Sequence, residues 1–158
     1  MRILITTDWY EPVINGVVTS VLTLKRELVK RGHEVRVATL SDCGHSYKKD
    51  DVYYMRSVDI SRIYPGARAV CFPGSSLYEE LIEWQPDLVH SQCEFSSFLI
   101  ARKIAGELGI PVVHTYHTVY EDIPTISAPE GPGAGRRRPG SHVLSWRKPI
   151  LSLPPPQK

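Results

Sequence analysis

Alternating strand-like and helix-like segments predict an α/β fold over residues 1–122, a Rossmann-like open parallel sheet with helices on its faces. Three observations carry the prediction. Ile3-Leu4-Ile5 is an unbroken apolar run that stops at polar Thr6-Thr7-Asp8, the pattern of a strand buried on both faces. A helical stretch and a second strand-like run come within about forty residues, the length of a βαβ unit. The same alternation then returns between residues 76 and 115.

Taken in order, the first turn contains Pro12 and ends on Asn15-Gly16. Beyond it Val17, Val18, Val21, Leu24, Leu28 and Val29 recur at helical spacing, while Lys25, Arg26, Glu27, Lys30 and Arg31 take mostly the other side. Gly32 is a natural helix stop after that basic last turn. Residues 34–40, EVRVATL, read as the second strand and residues 52–55, VYYM, as a third. The stretch 60–73 contains two prolines and reads as loop with a possible short helix. Ser76 and Glu79 have capping-box spacing ahead of Leu77, Leu81, Ile82 and Trp84, and Pro86 closes that helix. Residues 87–90 supply a fourth strand. Phe95, Phe98, Leu99, Ile104, Ala105 and Leu108 mark a helix closed by Gly109, and residues 111–115 supply a fifth strand.

Composition separates this body from the last 36 residues of the sequence. The 158 residues carry 19 Lys plus Arg against 17 Asp plus Glu, a net charge of +2. That balance is a cancellation, because residues 1–122 sum to −3 and residues 123–158 to +5. Eight of the 13 prolines lie after residue 122, and no apolar period continues there, so residues 123–158 read as a basic Pro/Gly-rich disordered tail. Arg136-Arg137-Arg138, without interleaved aromatic residues, is too small an electrostatic footprint to predict specific nucleic-acid binding. No apolar run reaches the ~18 residues of a membrane span. The early charge at Arg2 argues against a signal peptide, and three cysteines without a CxxC pair read as reduced thiols in the cytoplasm.

In an open parallel sheet, ligands bind beyond the carboxyl ends of the strands. That geometry is expected to gather Asp8-Trp9-Tyr10 with Asn15-Gly16, then His90-Ser91-Gln92-Cys93-Glu94, then Tyr116-His117-Thr118. Gly16 at a helix start lets a backbone approach an anion such as phosphate, although Asn15 is as readily a plain helix cap. No G-x-G-x-x-G follows the first strand. His117 is positioned for acid/base work or to donate a hydrogen bond to a substrate, whereas His114 reads as a buried, hydrogen-bonded core histidine. Glu94 either binds a hydroxyl or caps the following helix, and capping is the simpler assignment. A zinc site from His90, Cys93, His114 and His117 is disfavoured, since their spacing matches no common framework.

These stations, in this order, resemble the N-terminal domain of the retaining family 4 glycosyltransferases of GT-B fold. The resemblance rests on residues 7–20 (TDWYEPVINGVVTS), 31–35 (RGHEV), 86–92 (PDLVHSQ) and 109–118 (GIPVVHTYHT). Within that family, Glu94-Phe95 and the run from His114 to Asp122 look most like the diacylglycerol glucosyltransferases. The resemblance implies transfer of a hexose, glucose from UDP-glucose, to the hydroxyl of a lipid acceptor such as diacylglycerol, with retention at the anomeric carbon and no bound metal or cofactor. It places Asn15, Gly16 and Val17 beside the donor phosphate and His117, as the catalytic residue, at the transferring sugar or the acceptor. Asp8, Tyr10, His90, Gln92 and Glu94 fall on the acceptor side. A bilayer acceptor implies peripheral contact at the cytoplasmic membrane face, for which 60–73, with Arg62, Tyr64, Arg68, Val70 and Phe72, is the body's best stretch, an ordinary loop with buried anchors being the equal alternative.

The family's second domain, which carries the nucleotide-sugar pocket, has no counterpart in this sequence, and residues 123–158 resemble nothing in the family. The expectation is an N-terminal fragment that is inactive alone. Two other readings stand: a glycosyltransferase for phosphatidylinositol or a soluble sugar, and a non-enzymatic α/β module whose basic tail binds membrane or nucleic acid. Oligomeric state is not predicted.

Overall fold

The structure, a computed structural model, describes residues 1–62, 66–71 and 76–117. Its elements are β1 (Arg2–Thr6), α1 (Gly16–Lys30), β2 (Glu34–Leu40), β3 (Tyr47–Lys49), β4 (Val52–Met55), β5 (Ser57–Asp59), β6 (Arg68–Val70), α2 (Ser76–Glu83), β7 (Leu88–Ser91), α3 (Ser96–Leu108) and β8 (Val112–His114). A six-stranded sheet runs β3-β4-β2-β1-β7-β8, and β5 with β6 forms a separate pair. Within the large sheet only β3 is antiparallel to its neighbour.

β1 occupies the centre because its apolar residues alternate between two cores. Ile3 and Ile5 join Val21 of α1 and Val35 and Val37 of β2 on one face. Leu4 joins Ala38, Val89 and the inward residues of α2 and α3, including Leu81, Ile100 and Ile104, on the other. A strand buried on both sides has no polar face to alternate with, which is why its sequence is a continuous apolar run. Burying a side chain of the size of Leu4 or Ile5 contributes about 1.5–3 kcal/mol.

The helix boundaries follow local chemistry. Asn15 caps α1, its Oδ1 accepting the Val18 amide at 2.8 Å. Gly32 takes φ +80° just past that helix, and Gly109 takes φ +66° as the left-handed cap of α3. Residues with a β-carbon rarely adopt either conformation, so glycine is the natural residue there. The residue that would cap α2, Ser75, lies outside the described residues.

The structure corrects three expectations. Within 60–73, Arg68–Val70 is not loop but a strand paired antiparallel with Ser57–Asp59, and the Ile60 amide donates to the Ala67 carbonyl at 3.0 Å. The sheet is open and mainly parallel as expected but gains one antiparallel edge strand, because Tyr47–Lys49 folds back on β4 through Asp50, which takes φ +51°. Strands of three residues are too short for a periodic signal, and their pairing decides them. The third is Glu94, whose carboxylate turns away from the start of α3 towards β8. The tail of residues 123–158, Thr118, Glu121 and Asp122 lie outside the described residues.

Candidate functional site

The chain leaves β1 towards β2 and β4, then returns on the opposite side of β1 to form β7 and β8. Strand order therefore reverses between β1 and β7, and a crevice opens beyond their carboxyl ends. The segments after β1, β7 and β8 are adjacent there. Gln92 donates its amide to the Thr6 carbonyl at 2.9 Å, Thr7 Oγ1 lies 3.6 Å from Cys93 Sγ, and Thr115 donates its amide to the Ser91 carbonyl at 2.9 Å.

Asp8 is buried, with 9% of its surface exposed. Its Oδ1 accepts the Ser97 amide at 2.7 Å in the first turn of α3. Asp8 is thus the cap of α3, which has no side-chain cap from its own preceding residue, Phe95. Burial raises the Asp8 pKa; the hydrogen bonds from Ser97 oppose the rise and the nearby Glu94 carboxylate adds to it. Glu94 therefore does not cap the helix as its sequence position suggests. Its Oε1 stands 3.9 Å from His114 Nε2.

His114 departs from the hydrogen-bonded core histidine expected of it. It is half-buried against Phe98 and Tyr116, and its Nδ1 is buried without a hydrogen-bond partner among the described residues. A strand that ends an apolar run does not reveal which ring nitrogen finds an acceptor, since that depends on the neighbouring strand.

A hydrogen-bonded row crosses the site. His117 Nε2 meets Gln92 Oε1 at 2.9 Å, Gln92 Nε2 faces Thr115 Oγ1 at 3.5 Å, and Thr115 Oγ1 lies 2.8 Å from His90 Nε2. Gln92 is only 2% exposed, whereas His117 is exposed. Burial lowers the His90 pKa, and the neighbouring His114 and His117 lower it further. Thr115 and Ser97 are the members that the sequence does not single out. Thr115 alone carries a signal there, as a hydroxyl at a strand end.

The first-strand cluster divides. Tyr10 is buried in the α1-face core, and its phenol is pushed up to about 12, chiefly by burial. Its ring serves packing more than an acceptor. Val17 packs half-buried on the same core. Gly16 opens outward: a β-carbon there would meet nothing within 4 Å, and the residue borders an open groove along α1 with Thr19, Ser20 and Thr23. Among the described residues no hydrogen bond or ion pair joins Asn15, Gly16 or Val17 to the row of His90, Gln92, Thr115 and His117. At the crevice itself, Asp8, Trp9, Leu40, Ala67, Arg68 and Phe95 enclose a small pocket of about 10 Å³.

Within 60–73, Ser61, Arg62 and Gly66 are exposed, whereas the strand part packs inward. Ala67 is buried, Val70 packs on the core, and the Arg68 guanidinium donates to Ser57 Oγ at 2.7 Å and to the Asp42 carbonyl at 3.5 Å. Tyr64 and Phe72 lie outside the described residues. Among the described residues no group of three or more His, Cys, Asp or Glu is arranged to hold a metal ion, and no helix is long and apolar enough to cross a membrane.

An open, mainly parallel α/β sheet with a polar crevice at its switch point defines a Rossmann-like domain, the class that takes its ligands beyond the carboxyl ends of its strands. The particular family emerges from comparison. Residues 14–153 match the model of Glycosyltransferase Family 4, and the chain belongs to that family. The matched range extends past residue 122. The chain is 42% identical over 123 residues to an alpha-monoglucosyldiacylglycerol synthase of Streptococcus pneumoniae (strain ATCC BAA-255 / R6), covering 77% of this chain and 28% of that protein. It is 36% identical over 124 residues to the alpha-monoglucosyldiacylglycerol synthase of Acholeplasma laidlawii, covering 77% of this chain and 31% of that protein. The chain therefore spans under a third of either relative.

Proposed function

We propose that this chain is the acceptor-side part of a retaining hexosyltransferase that moves glucose from UDP-glucose to a hydroxyl of diacylglycerol. The observation that carries the reading is the 42% identity to a synthase of that name across a stretch long enough to include the whole crevice. His117 is the residue proposed to meet the transferring sugar. The exposed start of α1, where Gly16 leaves room for close backbone approach and Asn15 takes the Val18 amide but not those of Gly16 and Val17, is proposed for the donor phosphate. Gln92 and His90 support the strand-end wall, and Asp8 acts through the helix it caps. The division at residue 122 stays part of this proposal, as do cytoplasmic location and bilayer contact through the β5–β6 turn at Arg62.

The 158 residues alone are expected to give no transfer, because the nucleotide-sugar wall of such a site falls in the length they do not share with the relatives. The decisive assay substitutes the aligned 123 residues for their counterpart in the Streptococcus pneumoniae relative. A soluble chimaera incubated with UDP-glucose and diacylglycerol vesicles is expected to form glucosyldiacylglycerol. A folded chimaera that transfers glucose to a soluble acceptor instead, or to nothing, would overturn the reading.

A further inference from the structure

We propose that Gln92 is a positioning residue that holds His117 as its Nε2–H tautomer, leaving Nδ1 as the ring nitrogen that accepts a hydrogen bond from a ligand hydroxyl. The Gln92 carbonyl oxygen sits 2.9 Å from His117 Nε2, and an amide oxygen can only accept, so the proton must reside on Nε2. His117 is exposed, and among the described residues nothing takes Nδ1. A neutral imidazole with one nitrogen committed as a donor offers the other as an acceptor. Of the two roles that the sequence suggests for His117, this reverses hydrogen-bond donation and is compatible with acid/base work.

The orientation of the Gln92 amide is what matters, because its flipped form would present an NH₂ group and force the opposite tautomer. Thr115 decides it. Its hydroxyl has one proton, and Oγ1 lies 2.8 Å from His90 Nε2. With that proton given to a neutral His90, the remaining lone pairs of Oγ1 accept from the Gln92 amide nitrogen at 3.5 Å. A flipped amide would set its oxygen against those lone pairs. Burial of His90 keeps it in the neutral form this arrangement requires. His114 cannot take the same role, since its Nε2 faces Glu94 and its Nδ1 is enclosed.

The functional consequence rests on His117 meeting a hydroxyl-bearing substrate, as the proposed function has it; the tautomer is measured without substrate, so either idea can fail alone. The full chain, labelled with ¹³C,¹⁵N-histidine, is observed by NMR at about pH 8.5, two units above the ordinary histidine pKa. His117 is assigned by comparison with His117→Gln. The wild-type ring is expected as a single Nε2–H tautomer. Thr115→Val removes the hydroxyl that orients the amide, and the Nδ1–H fraction should rise about threefold or more. Adding Gln92→Glu to Thr115→Val should restore the single tautomer, because both carboxylate oxygens accept. That rescue would not arise from a merely structural role. A wild-type tautomer ratio equal to that of histidine in a free peptide overturns the proposal, as does a Thr115→Val chain with an unchanged ratio and native backbone amide shifts. Rescue that fails in the folded double variant overturns it equally.

Discussion

The Asp8 carboxylate, two residues past the central strand, accepts the Ser97 amide at 2.7 Å and so closes a helix that begins 88 residues later in the chain. An N-cap is ordinarily local, supplied by the residue before the helix. Here the cap comes across the switch point and fastens β1 to α3.

Asp8→Ala should therefore cost about 1–2 kcal/mol of stability, and Asp8→Asn less, since its amide oxygen still accepts. Urea unfolding followed by circular dichroism measures both. Equal losses for the two variants would show that the carboxylate, not the cap, matters. Because burial raises the Asp8 pKa above 3.8, the folded chain keeps a proton that the unfolded chain has released. Stability contributed by this group falls as pH climbs through that interval, and Asp8→Asn should flatten the fall.

His90 gives a second, separate pH dependence. Its pKa is lowered from the ordinary 6.5, so below 6.5 the unfolded chain binds a proton that the folded chain resists. Stability is full above that value and is lost as pH drops towards the lowered one. Thermal unfolding between about pH 7.5 and 5.5 should show a falling midpoint, with a shallower fall in His90→Gln. An unchanged slope in that variant would place the dependence elsewhere.

Ser96 ties the small strand pair to α3. Its hydroxyl donates to the Arg68 carbonyl at 2.6 Å and accepts the Val70 amide at 3.3 Å. Ser96→Ala should cost about 1–3 kcal/mol, since it removes both bonds and leaves the Arg68 carbonyl and the Val70 amide without that partner. Hydrogen exchange should quicken at the Val70 amide while the β1 amides stay protected; uniform loss of protection would contradict a local tether.

Arg36 lies 4.5 Å from the Trp84 ring centroid and 5.4 Å from that of Tyr53, and its Nη1 reaches the Tyr53 hydroxyl. Tyr53 in turn donates to Glu80 at 2.7 Å. Arg36→Lys keeps the charge but loses the planar stacking group, and should cost about 0.5–2 kcal/mol by chemical denaturation. No loss would mean that charge alone holds this corner.

Gly16 takes no left-handed conformation and has open space where a β-carbon would stand. Gly16→Ala should leave the fold as stable as wild type or more stable by up to about 1 kcal/mol, through helix propensity. A clear loss would mean that the fold itself, rather than ligand approach, needs glycine there.

Residues 1–117 were legible as α/β because burial on both faces of β1, and amphipathic periodicity in α1 and α3, are properties of consecutive residues. The stops at Gly32 and Gly109 and the cap at Asn15 were legible for the same reason: each works within a turn of its own position. The gathering of Asp8, Gln92 and His117 at one sheet end was legible too, since parallel strands joined by helices share their carboxyl edge. Only the tertiary structure could assign partners. Asp8 rather than Glu94 caps α3, Glu94 turns to His114, and the proton on His117 is governed by Gln92. The short pair β5–β6 exists because Ser57, Arg68 and Ser96 find one another. Such choices depend on distance in space between residues tens of positions apart, and no pattern along the chain encodes that distance.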